Sequence, residues 1–155
     1  MAEETRQSEL RGGCQCGTVR YRLIAAPTGA SICHCRMCQK AGGAPFMAFA
    51  GVRLAELQWT RGAPKIFASS AIAERGFCGD CGTPLTFHMH GHDRVSVTIG
   101  SLDDPAAAPP TRQLGVESKT PWLEAALALP ARTTGDWLRL DAAAVGDRQY
   151  PDHET

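Results

Sequence analysis

The sequence predicts a mainly β domain of short strands with one or two short helices, held together by cysteine-bound metal. Sixteen glycines and ten prolines interrupt a chain of 155 residues at short intervals, which favours strands and turns over long helices. Short apolar runs, some alternating with polar residues, lie between these interruptions. All seven cysteines lie between residues 14 and 81 in three closely spaced groups, a pattern typical of zinc ligands.

The individual elements follow from alternation and from turn residues. Residues 18–23 alternate between polar and apolar side chains, which predicts a strand. A second strand is predicted over residues 30–35, followed by one or two helical turns over residues 36–41 that end at Gly42. Further short strands are predicted, in chain order, over residues 45–50, 65–68, 74–77, 83–89 and 94–99.

The second half of the chain contains one predicted helix. Thr120 is a capping candidate and Pro121 suits the first helical position, so a short helix is predicted as far as Leu129. The polar residues 1–9 are predicted to be a flexible N-terminus and residues 10–140 a single zinc domain. The small and charged residues 141–155 are predicted to be a flexible C-terminal tail.

Composition restricts the compartment and the partners. No segment approaches the run of about 20 apolar residues that a membrane span requires, and the N-terminus lacks the apolar core of a signal peptide. We therefore expect a cytoplasmic protein with reduced thiols and no membrane partner. Lysine plus arginine equal aspartate plus glutamate at 16 each, so no net positive field favours nucleic acid as a partner.

Disulfides are the alternative use of these cysteines. An odd number of cysteines leaves at least one thiol unpaired. The Cys-x-Cys neighbours in an extended chain point to the same side without the pucker that a bridge needs. Metal ligation is the better interpretation.

Two ways of grouping the sulfurs remain open from spacing alone. Pairs from distant segments most often close a structural zinc site, which would join Cys14 and Cys16 to the Cys78-Gly-Asp-Cys81 turn and leave the middle group of three. In the alternative, the middle group shares ligands with that turn, and Cys14 and Cys16 are left with too few partners. Glycines at 79 and 82 would permit positive φ values that turn N–H groups toward the sulfurs of the turn.

The middle group, Cys33, Cys35 and Cys38, is the better candidate for a reactive site. Three thiolates on zinc leave one coordination position open to a small thiol, which would lose its proton there. The resulting thiolate would attack an aldehyde, or the ion would polarise a carbonyl, and the sequence does not separate these mechanisms. Cys35 and Cys38 straddle the start of the predicted helical turns, where partial positive charge favours thiolates.

Four ordered motifs lie within about residues 10–125. They are Gly12-Gly13-Cys14-x-Cys16-Gly17, Cys33-His34-Cys35-x-x-Cys38, Arg75-x-Phe77-Cys78-x-x-Cys81-Gly82-Thr83-Pro84-Leu85 and Ser118-Lys119-x-Pro121-Trp122. Together they resemble the GFA family, named for glutathione-dependent formaldehyde activation. The resemblance implies an all-β, zinc-stapled β-tent of short antiparallel sheets. It also implies a structural zinc on Cys14, Cys16, Cys78 and Cys81 and a reactive zinc on Cys33, Cys35 and Cys38.

One position departs from the family pattern. A histidine followed by bulky apolar residues commonly precedes the Ser-Lys-x-Pro-Trp motif in the family, whereas this chain has Gln113 there. An amide side chain is neither an acid, a base nor a strong metal ligand. The departure bears on the family's substrate pair more than on the fold or the zinc sites.

The remaining candidates have ordinary structural interpretations beside functional ones. His34 is expected to face away from the neighbouring sulfurs by strand alternation, and His88, His90 and His92 are expected to be exposed imidazoles at a hairpin tip rather than a third metal site. The tryptophans are expected to be core anchors or pocket walls, with core packing as the default, and the cations that could hold the carboxylates of a peptide thiol are expected to be exposed at the surface. These residues are Trp59, Trp122, Trp137, Arg36, Lys40, Arg75 and Lys119.

The sequence therefore predicts a zinc-dependent carbon–sulfur lyase with two zinc ions per chain, in which Cys33, Cys35 and Cys38 are the catalytic group. Its predicted partners are a glutathione-like thiol and a formaldehyde-like aldehyde. Two alternatives remain: a binding module in which both zinc ions are structural, and a zinc-ribbon nucleic-acid binder, which would need a basic face that the composition does not supply.

Overall fold

The computed structural model describes residues 9–138 and 145–153, and this part of the chain is mainly β, as predicted. Its strands, in chain order, are β1 (Leu10–Gly13), β2 (Arg20–Leu23), β3 (Ala30–Cys33), β4 (Met47–Arg53), β5 (Leu57–Arg61), β6 (Lys65–Ser70), β7 (Ala73–Phe77), β8 (Pro84–Met89), β9 (Arg94–Thr98) and β10 (Arg112–Leu114). The helices are α1 (Arg36–Gly42), α2 (Leu123–Ala126) and α3 (Thr134–Leu138). The prediction of an all-β fold with few short helices is confirmed.

Two sheets form the domain. The smaller has the order β1-β2-β5, and the larger has the order β10-β3-β4-β9-β8-β7-β6. Neighbouring strands are antiparallel except β10, which pairs with β3 in parallel and sets Leu114 opposite Cys33. A segment about eighty residues along the chain from β3 is therefore anchored next to the middle cysteine group.

The core joins the two sheets. The alternating side chains Val19, Tyr21 and Leu23, on and just before β2, are all buried and belong to the same cluster as Leu85 and Val97 of the larger sheet. Burial of such side chains is the main stabilising contribution to a domain of this size. The predicted shared face is confirmed.

The tryptophans lie mostly outside this core. Trp59 packs edge-on against Tyr21 with ring centroids 5.8 Å apart, but Trp122 is 56% exposed and Trp137 is 71% exposed. The default of core packing was wrong for these last two, since within the described part of the chain both indoles are mostly exposed and Trp122 borders an open groove.

The predicted helical turns after Cys35 are confirmed as α1. Its last residue precedes Gly43, which adopts a left-handed φ of 61° and donates its N–H to the carbonyl of Gln39. The second predicted helix is shorter than expected. Pro121 lies in a turn, and α2 covers only Leu123–Ala126, where Leu123 is buried while Leu127 and Leu129 are exposed. A helix without an apolar face to pack does not extend.

Three strands escaped the sequence analysis: β1, β5 and β10. In β1 the glycines are required by close packing, since a Cβ on Gly12 would lie 2.4 Å from the Ser101 carbonyl oxygen and one on Gly13 2.5 Å from that of Val19. The side chains of β10 are exposed, so no alternation between buried and polar residues marks that strand.

An ion pair fastens β2 to the loop after β9. The guanidinium of Arg20, whose residue is 2% exposed, donates to both carboxylate oxygens of Asp103 at 2.7 Å and 2.6 Å. The Tyr150 ring lies near the same guanidinium, 5.0 Å away, and the Tyr150 N–H donates to the Gln15 carbonyl at 2.7 Å. The C-terminal segment therefore contacts the first cysteine turn.

The predicted domain limits stay a prediction. Residues 1–8, 139–144 and 154–155 lie outside the described residues, so the flexible ends predicted there are not described, whereas Tyr150 makes the contacts given above. Among the helices of the described residues, none is both long and apolar enough to cross a membrane.

Replacement of Asp103 by alanine should reduce the free energy of unfolding by about 3 kcal/mol, because the buried Arg20 guanidinium would lose both of its bonds to that carboxylate. Urea denaturation followed by circular dichroism would measure the change. The control is Glu9→Ala, which breaks an exposed pair with Arg11 and should cost less than about 1 kcal/mol. Equal effects of the two substitutions would contradict the conclusion that the Arg20–Asp103 ion pair is a major stabilising contact.

Candidate metal centres

Four cysteines from two turns converge at one end of the molecule. Cys14 and Cys16 lie in the turn between β1 and β2, Cys78 and Cys81 lie in the turn between β7 and β8, and their Sγ atoms are all within 4.8 Å of one another. Cys16 Sγ lies 3.6 Å from Cys14 Sγ and 3.8 Å from Cys78 Sγ. A tetrahedron with Zn–S bonds of about 2.3 Å has S···S edges of about 3.8 Å, so this group, the four-sulfur site, fits zinc.

The two turns supply donors to the four sulfurs. The N–H of Val19 donates to Cys14 Sγ at 3.2 Å, and the N–H of Asp80 donates to Cys78 Sγ at 3.4 Å. Such donors offset the excess negative charge of four thiolates.

The turns also resemble each other in backbone and side chain. Gly17 and Gly82, each directly after a cysteine, both have a φ of 78°. Thr18 Oγ1 lies 3.3 Å from Cys16 Sγ, and Thr83 Oγ1 lies 3.1 Å from Cys81 Sγ. The expected positive φ is present at Gly82 but not at Gly79, so the expectation for Gly79 was wrong.

The pKa values of the four sulfurs differ with their surroundings. Burial raises the pKa of Cys14 to about 12. Burial also raises that of Cys81, but the hydroxyl and N–H of Thr83 and the contacts with Cys16 outweigh it and lower the pKa to about 6. The hydroxyl of Thr18 lowers the pKa of Cys16. The more exposed sulfurs of the site therefore ionise first.

Three further cysteines form a separate group, the three-sulfur site. Cys33 ends β3, Cys35 is the N-cap of α1 and Cys38 lies in its first turn, with all three Sγ atoms within 4.8 Å of one another. The N–H of Cys38 donates to Cys35 Sγ at 3.4 Å. Among the described residues, no fourth cysteine, histidine or carboxylate belongs to this group.

The structure thus brings the sulfurs together as the leading interpretation grouped them and does not mix the middle group with the Cys78 turn. The donor set of the three-sulfur site also fits zinc, because three soft thiolates held by one strand end and one helix start leave a position for one more ligand. The roles of the individual cysteines stay predictions.

The pKa values of these three thiols also differ with their surroundings. Burial raises the pKa of Cys33 and raises that of Cys38 to about 12, although the Arg75 guanidinium acts in the opposite direction on Cys38. Burial also acts to raise the pKa of Cys35, but the Cys38 N–H and the neighbouring thiols lower it overall. The helix start therefore holds the sulfur that ionises most readily.

A cavity adjoins the three-sulfur site. Its volume is about 260 Å³, and it shares with that site the guanidinium of Arg75, which donates to Cys38 Sγ at 3.3 Å. The other walls are mostly apolar and come from α1, β4, β6, β7 and the start of β8. The lining residues are Ala41, Met47, Phe67, Gly76, Phe77, Gly82, Pro84 and Thr86.

His34 faces away from the sulfurs, as expected. Its side chain is buried, with the residue 1% exposed, and Nε2 lies 2.8 Å from Gln113 Oε1. Because an amide oxygen only accepts, Nε2 carries the proton in this pair. Gln113 therefore holds β10 against the segment that carries the three-sulfur site. It is not one of the residues that form that site.

Gln39 is a residue that the sequence analysis missed. Its buried amide donates to the carbonyl oxygens of His34 at 2.6 Å and Ser118 at 2.8 Å, which ties α1 to the turn after β10. No motif in the sequence marks a glutamine as a clamp of this kind, because its partners are backbone groups about eighty residues apart.

The other candidate cations, Arg36, Lys40 and Lys119, lie outside the three-sulfur site. Lys119 pairs with Glu124 at 2.7 Å, and Arg36 donates to Gln39 Oε1. Arg36, Lys40, Thr120 and Trp122 border an open groove of about 460 Å³ on the outer side of α1.

The histidines at the hairpin tip do not form a third metal group within the described residues. His88 and His90 each lie 3.4 Å from one oxygen of Glu74, and His90 and His92 are exposed. The expected exposure is found for His90 and His92, but the expectation was wrong for His88, which lies half-buried within β8.

Comparisons with known proteins agree with this geometry. Residues 9–118 match the family described as "Glutathione-dependent formaldehyde-activating enzyme". An uncharacterized lyase of Schizosaccharomyces pombe is 37% identical over 79 residues, and the match covers 51% of this chain and 57% of the relative. A crystal structure of a Rhodobacter sphaeroides protein has a TM-score of 0.52 and 22% identity, with 66% of this chain and 98% of that one covered, which supports the fold alone.

The two sites should differ in their contribution to the fold. We expect wild-type protein purified under reducing conditions to contain two zinc ions per chain. Cys33→Ser should retain one zinc and nearly the same melting temperature, because the three-sulfur site lies within one local segment. Cys78→Ser should lower the melting temperature sharply, since the fully buried Cys78 links distant turns.

Elemental analysis and thermal denaturation would measure both quantities on the same samples. A Cys78→Ser protein as stable as Cys33→Ser would contradict the structural role of the four-sulfur site.

Proposed function

The chain belongs to the family of glutathione-dependent formaldehyde-activating enzymes, and we propose that it is a zinc-dependent carbon–sulfur lyase that joins a small thiol to a small aldehyde. The observation that carries the proposal is the three-sulfur site, in which Cys33, Cys35 and Cys38 converge without a fourth cysteine, histidine or carboxylate among the described residues. Glutathione and formaldehyde, from the family's description, are the substrate pair proposed.

The reaction adds the sulfur of the thiol to the carbonyl carbon of the aldehyde. One S–C bond forms, the π pair of the carbonyl moves to oxygen, and the thiol proton ends on that oxygen. A bound zinc ion would supply a Lewis-acidic position that favours the ionised form of an entering thiol. Cys33, Cys35 and Cys38 are the residues that would hold it.

The surroundings of the three-sulfur site suit this role. The strand end and the helix start fix the three sulfurs on rigid elements, which is what a reactive centre requires. The cavity beside Arg75 has space for a small substrate, and its walls are mostly apolar. The name of the Schizosaccharomyces pombe relative supports a lyase, but the chain spans only 57% of that protein's length.

We also propose a cytoplasmic location, because both sites need reduced thiols to bind a metal. The alternative of a binding module with two structural zinc ions would require a protein or partner atom at the fourth position of the three-sulfur site. Zinc-edge X-ray absorption of the protein with and without glutathione separates the two, since only an open position changes its ligands.

Replacement of Cys35 by serine should abolish the protein-dependent rate of adduct formation between glutathione and formaldehyde, because it removes one of the three sulfurs while the four-sulfur site stays intact. The rate would be followed by exchange NMR, with the uncatalysed rate at the same pH subtracted. Circular dichroism would establish that the variant is folded.

The control is Arg22→Gln, a substitution in β2, in the smaller sheet, and it should leave the rate unchanged. A folded Cys35→Ser protein with wild-type turnover would exclude the three-sulfur site as the reactive centre.

A further inference from the structure

Arg75 is a buried cation whose contacts are almost all neutral. The residue is 7% exposed, and its Nε donates to Ser69 Oγ at 3.0 Å while Nη1 lies 3.7 Å from Met47 Sδ. The guanidinium carbon lies 4.9 Å from the centre of the Phe87 ring. The remaining contact is the donation from Nη2 to Cys38 Sγ at 3.3 Å.

A guanidinium remains charged even when it is buried, and removing such a charge from water without a counter-charge is unfavourable. Within residues 9–138 and 145–153, Arg75 forms no ion pair with a carboxylate. Of the four groups that Arg75 contacts, the sulfur of Cys38 is the one that can become anionic, because a bound metal would ionise the thiol.

The formal charges of the three-sulfur site supply what Arg75 lacks. Three thiolates around a divalent zinc ion sum to minus one, and the guanidinium next to Cys38 brings the group to zero. In the metal-loaded protein, the positive charge of Arg75 would therefore neutralise the net negative charge of the three-sulfur site.

We propose that Arg75 is a positioning residue of the three-sulfur site, which balances its charge and fixes the orientation of Cys38. This inference rests on the proposed function, since it requires a metal on the three sulfurs. Ser69 holds the guanidinium through Nε, so that Nη2 is directed at the sulfur. Arg75 also lines the cavity, so the same charge favours an entering thiolate, which would otherwise raise the site to a formal minus two.

The test is the zinc affinity of the three-sulfur site in Arg75→Gln, measured by competition with a chromophoric chelator. We expect zinc at this site to bind 10- to 100-fold more weakly, on the order found when an outer partner of a metal ligand is removed. Arg75→Lys should recover part of the affinity, because it keeps the charge and loses the planar donor pair. The affinity of the four-sulfur site should stay within about twofold in both variants.

Two further variants separate charge and orientation from general disturbance. Ser69→Ala removes the anchor of Nε and should weaken zinc at the three-sulfur site less than Arg75→Gln does, with the four-sulfur site unchanged. Arg22→Gln makes the same substitution in β2 and should change neither site. If Arg75→Gln does not fold, Arg75→Lys and Ser69→Ala provide the test.

An unchanged zinc affinity at the three-sulfur site in Arg75→Gln would overturn the inference, as would equal weakening at both sites or an Arg75→Lys protein no better than Arg75→Gln. These outcomes differ from failure of the proposed function. A wild-type protein that binds only one zinc ion, or that gives no protein-dependent rate, would overturn the proposed function itself.

Discussion

Two distant turns, one from each sheet, converge at the four-sulfur site. The turn between β1 and β2 belongs to the smaller sheet and the turn between β7 and β8 to the larger, so the sulfurs of Cys14, Cys16, Cys78 and Cys81 meet where the two sheets join. A domain of this size buries a limited apolar core, and a metal bound here would add a link between segments more than sixty residues apart. The Arg20–Asp103 pair and the Tyr150 contact strengthen the same end of the molecule.

The three-sulfur site is built on a different principle. Its sulfurs come from six consecutive residues, so the fold does not need them as a long-range link. Their positions are set by a strand end, a helix start and the clamps from Gln39, Gln113 and Arg75. A centre whose ligands come from one short segment, and whose positions are held by contacts from other elements, can exchange a ligand without destabilising the domain.

The sequence predicted most of the larger sheet, the start and end of α1 and the two sulfur groups, because each has a local signal: alternation, a glycine after a helix, or cysteines a few residues apart. The strands β1, β5 and β10 escaped because they are short, glycine-rich or exposed, and their pairing partners alone define them. No local signal marks Gln39, and the surface exposure expected for Arg75 was wrong, since the residue is 7% exposed and its contacts come from across the fold. Trp122 and Trp137 were misplaced because their own sequence neighbours do not show whether another segment covers an aromatic side chain.

The parallel strand β10 has a consequence for motion. It contributes three exposed residues to one edge of the larger sheet, so its detachment uncovers little apolar surface. Such an edge opens at a lower free energy than the whole domain unfolds. Amide hydrogens of residues 112–114 and of His34, whose N–H donates to Leu114, should then exchange with solvent sooner than those of β4 or β9. Breathing at this edge would expose the backbone beside Cys33 and Cys35 while the sheets behind it remain closed.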